Sequence, residues 1–231
     1  MEHFRPVRGI GLAASVLIGL VAVANIVNTA TDWWSYTALR DYQDGNATIA
    51  DLEQVDAVTA LVTVPMLLLQ LAAGVVFIVW LYRARINAER LTYATEHRRS
   101  RVWVWLGWFV PIVNFWFPKQ IVDDVWRASD PRQQTVPLQD RRRAGLTTVW
   151  WAAFLVTQWL DRIYTRIYLR EELTPDLLQT AAVVSSVGTV SGLVAALLGV
   201  QVVVRISDFQ TVPFTPPPTV PETQHDYQDY S

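Results

Sequence analysis

The side chains able to do chemistry are few. Three histidines are present, His3, His97 and His225, and none falls in an apolar run or in the proline-broken segment "GWFVPIVNFWFPKQIVDDVWRAS" at 107–129. Ser185, Ser186 and Ser191 therefore lack the imidazole that a serine nucleophile needs for activation. No H-E-x-x-H pair is present for zinc. The absence of cysteine removes disulfides, thiolate ligands and thiol nucleophiles together. An aspartyl dyad needs carboxylates inside the apolar runs, and Asp161 merely closes one. The chain thus reads as a non-enzyme, with no metal and no cofactor.

What remains is a ring of candidates: Trp80, Arg83 and Asn87, then Trp108, Pro111, Asn114, Pro118, Asp123, Asp124 and Trp126. Arginine beside tryptophan at a membrane boundary binds anionic lipid headgroups, because guanidinium forks phosphate and indole tolerates the interface. Alternatively, Arg83 pairs with Asp123 or Asp124 and locks one segment against another. The first role makes membrane lipid the partner. The second is structural.

The elements that must position this ring lie in a membrane. The chain of 231 residues is 52% hydrophobic, and the apolar residues form long charge-free runs at 9–30, 57–82, 144–160 and 178–204. A crossing helix needs about 20 such residues for about 30 Å of hydrocarbon. The third run is shortest, but Trp150, Trp151 and Trp159 suit the headgroup zone. Arg5, Arg8 and Ala22-Val23-Ala24 imitate a cleaved signal sequence, yet the first run of 22 residues is too long for a signal core and is taken as retained. The runs hold no Lys, Arg, Asp or Glu, which disfavours ion-coupled transport. Asn25, Asn28, Gln70 and Gln158 remain for a neutral, wet pathway.

Charge decides what 102–129 does. If it does not cross, Lys and Arg divide 15 on the cytoplasmic side to 4 outside; if it crosses, 11 to 8. The positive-inside bias favours the first. Pro111 interrupts helical hydrogen bonding and the Asn114 amide is costly against lipid. Residues 103–118 reach only about 24 Å as one straight helix. The fold class is therefore an all-α membrane protein: four transmembrane helices plus a cytoplasmic-side re-entrant or interfacial segment. Both termini, 1–8 and 206–231, are cytoplasmic in this arrangement. Non-helical backbone at such depth must be covered by protein or line a wet cavity, so the dip should pack among the spans. After it, Pro118 opens a new helix with an apolar stripe of Ile121, Val122, Val125 and Trp126, and an Asp123–Arg127 pair. Ser129-Asp130-Pro131 ends it.

Elsewhere, Thr48 with Asp51 suggests a capping box opening a helix that runs through Pro65, kinked there, and on past residue 83. Thr174-Pro175-Asp176 opens the last span. Gly188 and Gly192 form a GxxxG spacing, and Gly11, Ser15 and Gly19 a comparable stripe. Internal helix packing is the favoured use of both; a homo-oligomer or another membrane partner is the alternative. Residues 206–231 form a proline-rich tail, solvated or docked on a polyproline reader. Asn46-Ala47-Thr48 is a glycosylation sequon by pattern. No nucleic-acid partner is expected.

"WLYRARINA" at 80–88 followed by "GWFVPIVNFWFPKQIVDDVWRAS" at 107–129 resembles a family of small multispanning membrane proteins, mainly actinobacterial, with a domain of unknown function. Trp80, Arg83 and Asn87 fit its W-x-x-R-x-x-x-N signature. Trp108, Pro111, Asn114 and Pro118 fit its W-x-x-P-x-x-N-x-x-x-P segment. The likeness covers most of 9–205 and implies residence in a bacterial inner membrane, but lends no activity. The expectation is a non-catalytic scaffold or interaction module; the alternative is a small transporter or lipid-handling protein with a site at the cytoplasmic face.

Overall fold

The computed structural model describes residues 4–170 and 172–211. The described residues contain six α-helices, several short 3₁₀ turns and no strand: α1 Arg8–Gln43, α2 Ile49–Leu91, α3 Trp103–Leu106, α4 Phe117–Ser129, α5 Gly145–Tyr168 and α6 Pro175–Phe209. The proline-rich tail beyond residue 211 and the first three residues lie outside the described residues, while residues 206–209, expected in the tail, continue α6.

Local signals explain the ends. The Thr48 N–H donates to the Asp51 carboxylate at 2.7 Å and completes the capping box of α2. The Thr174 hydroxyl accepts from the Leu177 N–H at 3.3 Å and caps α6, with Pro175 in the first turn. Helix α2 continues through Pro65 for 43 residues. Helix α1 extends well past residue 30, so its turn into α2 spans only 44–48, with Gly45 at φ 76° supplying the left-handed residue.

Helix α6 is the axis of the bundle. Helix α1 packs along it and along α2, and α5 lies on another flank. Large apolar residues point outward, as Leu12, Val16, Leu20, Val23 and Val27 on α1 and Val183, Val187, Val190, Val194 and Leu197 on α6. Small residues, Ala14, Ala22, Ala181, Ala182 and Ala195, fill the interior. This reverses the pattern of a water-soluble bundle and is the arrangement lipid permits. Helices α1, α2 and α6 are each long and apolar enough to cross a membrane. The chain has the build of a multi-pass membrane protein.

The glycine stripes divide. A Cβ at Gly188 would meet Leu160 at 3.7 Å, and one at Gly192 would meet Thr157 at 3.6 Å, so both face α5 of the same chain. A Cβ at Gly11 would fall 2.7 Å from the Ser207 hydroxyl, which explains a glycine there. Ser15 turns its hydroxyl back to the Gly11 carbonyl at 2.9 Å. Gly19 has nothing within 4 Å and packs against no other helix.

Candidate functional site

One end of the bundle is closed by α4, an amphipathic helix laid against α2, α5 and α6. Ahead of it the chain makes a hairpin. Short α3 leads into Gly107–Pro111, Ile112 turns the backbone, a 3₁₀ turn spans Val113–Phe115, and α4 begins. At the turn the Val113 N–H donates to the Pro111 carbonyl at 2.8 Å, and Ile112 sits at φ 70°, ψ −58°. These are the dihedrals of a strained γ-turn, unusual for a β-branched residue. The tip exposes Phe109 at 73% and Ile112 at 68%.

The two flanks of the hairpin meet. The Trp103 and Phe117 rings lie edge to face with centroids 4.8 Å apart, and the Arg99 guanidinium stacks 3.8 Å over Phe117. Arg99 also donates to the Gln120 side chain at 2.8 Å. The fully buried Asp124 accepts from the Arg98 backbone N–H and its Nε, both at 3.0 Å, and from Arg127 Nη2 at 2.6 Å. Burial alone would push the Asp124 carboxyl up. The Arg98 and Arg127 guanidinium groups outweigh it and hold that carboxyl below the usual carboxylate range.

The lock exists, then, but through a different arginine. Arg83 was expected to reach Asp123 or Asp124; instead Arg98, just before the hairpin, occupies them, and Arg83 lies half-buried on the flank of α2. The physical reason is that α2 stays helical to Leu91 and turns Trp80, Ala84, Asn87 and Ala88 inward together. The expected Asp123–Arg127 pair is also replaced. Asp123 takes Lys119 Nζ at 2.7 Å and the Thr147 hydroxyl of α5 at 2.7 Å, while Arg127 bonds Asp124 one turn back.

Other ring members have packing and hydrogen-bond partners. The Trp80 indole donates to the Ser207 hydroxyl at 3.0 Å. Phe77 bridges Trp80 and Trp108, and Trp108 continues to Trp151 and Phe154. Trp126 packs edge-on against Phe209. Pro118 is buried in the first turn of α4. The Asn114 carbonyl oxygen and the Trp108 indole N–H are buried without a hydrogen-bond partner among the described residues. Asn87 makes an amide clamp: it accepts from the Arg5 N–H and donates to the Arg5 carbonyl, both at 2.8 Å, and donates to Gln210 Oε1 at 3.1 Å. Gln210 passes the bond on to the Ala84 carbonyl and the Ser129 hydroxyl.

Sequence reasoning missed Arg98, Thr147, Gln210 and four further buried groups. His97 was set apart from the segment but is buried near Asp124 and Arg85, with Nε2 3.0 Å from the Thr92 hydroxyl. Burial, reinforced by the Arg85 charge, lowers its pKa to about 4. Arg85 is buried on α2, bonded to Glu89 at 2.7 Å and to the Arg99 carbonyl at 2.7 Å. Asp32, two residues past the first apolar run, lies on α1 and is 1% exposed. Asp32 and Arg85 lie just beyond the charge-free runs 9–30 and 57–82, so α1 and α2 bury charge where they extend past them. Arg141, set back by burial from its usual basicity, wraps the α4 terminus through the Arg127 and Ala128 carbonyls.

Residues 43–208 match the family model described as Domain of unknown function (DUF4328). The chain belongs to this family. The match takes in the whole lock, from Arg98 through Asp124 to Thr147, but leaves Asp32, Arg5 and Gln210 outside. No curated protein and no solved structure matches the chain.

Proposed function

We propose that the chain is a four-span protein of a bacterial inner membrane, α5 being the fourth crossing, and that residues 102–116 form a re-entrant hairpin on its cytoplasmic side. Its role is that of a non-catalytic interaction module, built on the Trp80, Arg83, Asn87, Trp108, Pro111, Asn114 and Pro118 pattern. The observation that carries the topology is the junction of the hairpin's flanks, with Arg98 Nη2 2.8 Å from Asp124 Oδ1 and Trp103 on Phe117. A crossing segment would separate those flanks by about 30 Å of hydrocarbon. An exposed apolar tip at Phe109 and Ile112 suits acyl chains. Helix α5, at about 1.5 Å per residue, is long enough to span, and the 15-to-4 division of basic residues favours the same topology.

The test uses the absence of native cysteine. Single cysteines at the exposed Ser100 and Thr135 flank the hairpin and α4, whereas Ser129 is buried and unsuitable. In intact cells an impermeant maleimide should modify neither, and both should react once the cells are opened. Reaction of one site alone means the segment crosses.

A second reading concerns lipid. Arg83 makes no hydrogen bond or ion pair among the described residues, unlike Arg98 and Arg85, which leaves a guanidinium for an anionic headgroup. Phosphatidylglycerol should raise the thermal midpoint of the purified protein above that in phosphatidylcholine. Arg83→Ala should abolish the difference while retaining the midpoint in neutral lipid.

A further inference from the structure

At the opposite end of α1 from the lock lies a carboxylate that the hairpin does not use. Asp32 stands 24 residues after Arg8, about 36 Å along the helix. Trp33 and Trp34 follow it on the surface, as side chains do at a membrane boundary. Yet Asp32 itself is turned inward and covered by α5. Its Oδ1 accepts from the Tyr164 hydroxyl at 2.6 Å and the Tyr168 hydroxyl at 3.3 Å, and its Oδ2 from the Asn28 amide at 3.3 Å. The Ser185 hydroxyl of α6 adjoins the same carboxylate.

All of these partners are neutral. Among the described residues the other titratable groups facing the site are Tyr164 and Tyr168 themselves on α5 and, from α2, Asp56, whose charge reaches Tyr168. Helix α6 contributes serine and threonine. A buried carboxylate without a countercharge is costly, and several neutral donors offset this only in part. Every buried carboxylate at the lock has an arginine or lysine; among the described residues Asp32 has none.

The surroundings suit two charge states. The Asn28 amide is the long, adjustable contact, and its Oδ1 accepts from the Thr63 hydroxyl of α2 at 3.4 Å. If a proton from water bonds to Asp32 Oδ2, rotation of that amide presents Oδ1 to the new O–H and turns the NH₂ group to the Thr63 oxygen. Both phenols stay on Oδ1, and the Thr63 hydroxyl changes from donor to acceptor toward the amide. From this point hydroxyls line the α1–α6 seam. Thr29 lies 2.9 Å from Ser185 Oγ and 2.7 Å from Thr189 Oγ1. Thr189 donates to the Asn25 carbonyl at 3.3 Å.

We propose that Asp32 is a proton-binding site, its carboxyl exchanging one proton with the water at the tryptophan-marked end of the bundle while Tyr164 and Tyr168 hold it in both states. The oxygen neighbours are hydroxyls whose hydrogens point at the carboxylate, so the geometry fits a proton and not a metal cation. The site is independent of the hairpin's topology.

Infrared difference spectra of the full chain in lipid nanodiscs, with carbon-13 in the aspartate carboxyls, test this between about pH 5 and about pH 8. The expected result is a protonated-carboxyl C=O band that changes across that window, is missing in Asp32→Asn, and shifts in frequency in Tyr164→Phe. A band that persists unchanged in Asp32→Asn overturns the proposal, as does the absence of any such band in the wild type. If Asp32→Asn does not fold, the Tyr164→Phe and Tyr168→Phe variants decide: an unshifted band in both overturns it.

Discussion

Asp124 shows how one residue holds a junction together. It has no exposed surface, and its three charge-assisted bonds come from residues on either side of the hairpin. Asp124→Asn would leave the buried Arg127 and half-buried Arg98 without their anion, at a cost of about 3 kcal/mol. Denaturant or thermal unfolding in detergent measures it. Because the folded carboxyl titrates below its unfolded value, its contribution is full above about pH 4 and is lost as pH falls through the folded value. His97 adds a separate window. Thr92 donates its hydroxyl to the Ala88 carbonyl, so His97 donates from Nε2, and Nδ1 is left buried without a partner among the described residues. Its folded pKa of about 4 lies below the unfolded value, so the unfolded chain binds the proton first. Stability should be level above about pH 6.5 and fall toward about pH 4, by a total on the order of 3 kcal/mol. His97→Gln should flatten that slope in a pH series of unfolding midpoints.

The hairpin is the element where the sequence says most and least. Pro111 and Asn114 marked a break, Pro118 marked the restart, and "SDP" marked the end, because each has a local physical effect on the backbone. The γ-turn at Ile112 had no such sign, since isoleucine is a poor residue for positive φ. Nor did Arg98 stand out from five neighbouring arginines; which of them meets Asp124 depends on where the chain leaves α2. Phe109 and Ile112 contact lipid in the proposed topology and little protein. Phe109→Lys with Ile112→Lys should change stability in detergent by within about 0.5 kcal/mol per site. The same pair should reduce quenching of a fluorophore on Leu106→Cys by brominated acyl chains. A large loss of stability with unchanged quenching would place the tip inside the protein instead.

At the scale of the whole molecule, hydropathy found the long helices because lipid-facing surface must be apolar wherever it lies. It misjudged their ends. Helix α1 continues well beyond its apolar run, and a carboxylate just past that run looks solvated until its partners are known. The spacing of Tyr164 and Tyr168, four residues apart on one face of α5, was the available hint of a polar seat there. Amide contacts were less legible still. Arg5, Asn87 and Gln210 are far apart in the chain, and no periodicity links them. Their meeting also sets an order of events. Arg5 can pair with Asn87 as soon as α2 has emerged, whereas Gln210 leaves the ribosome later and adds its bonds to Asn87, Ala84 and Ser129 last. The α2–α4 junction is therefore stitched shut only when α6 has docked and Gln210 reaches Asn87, Ala84 and Ser129.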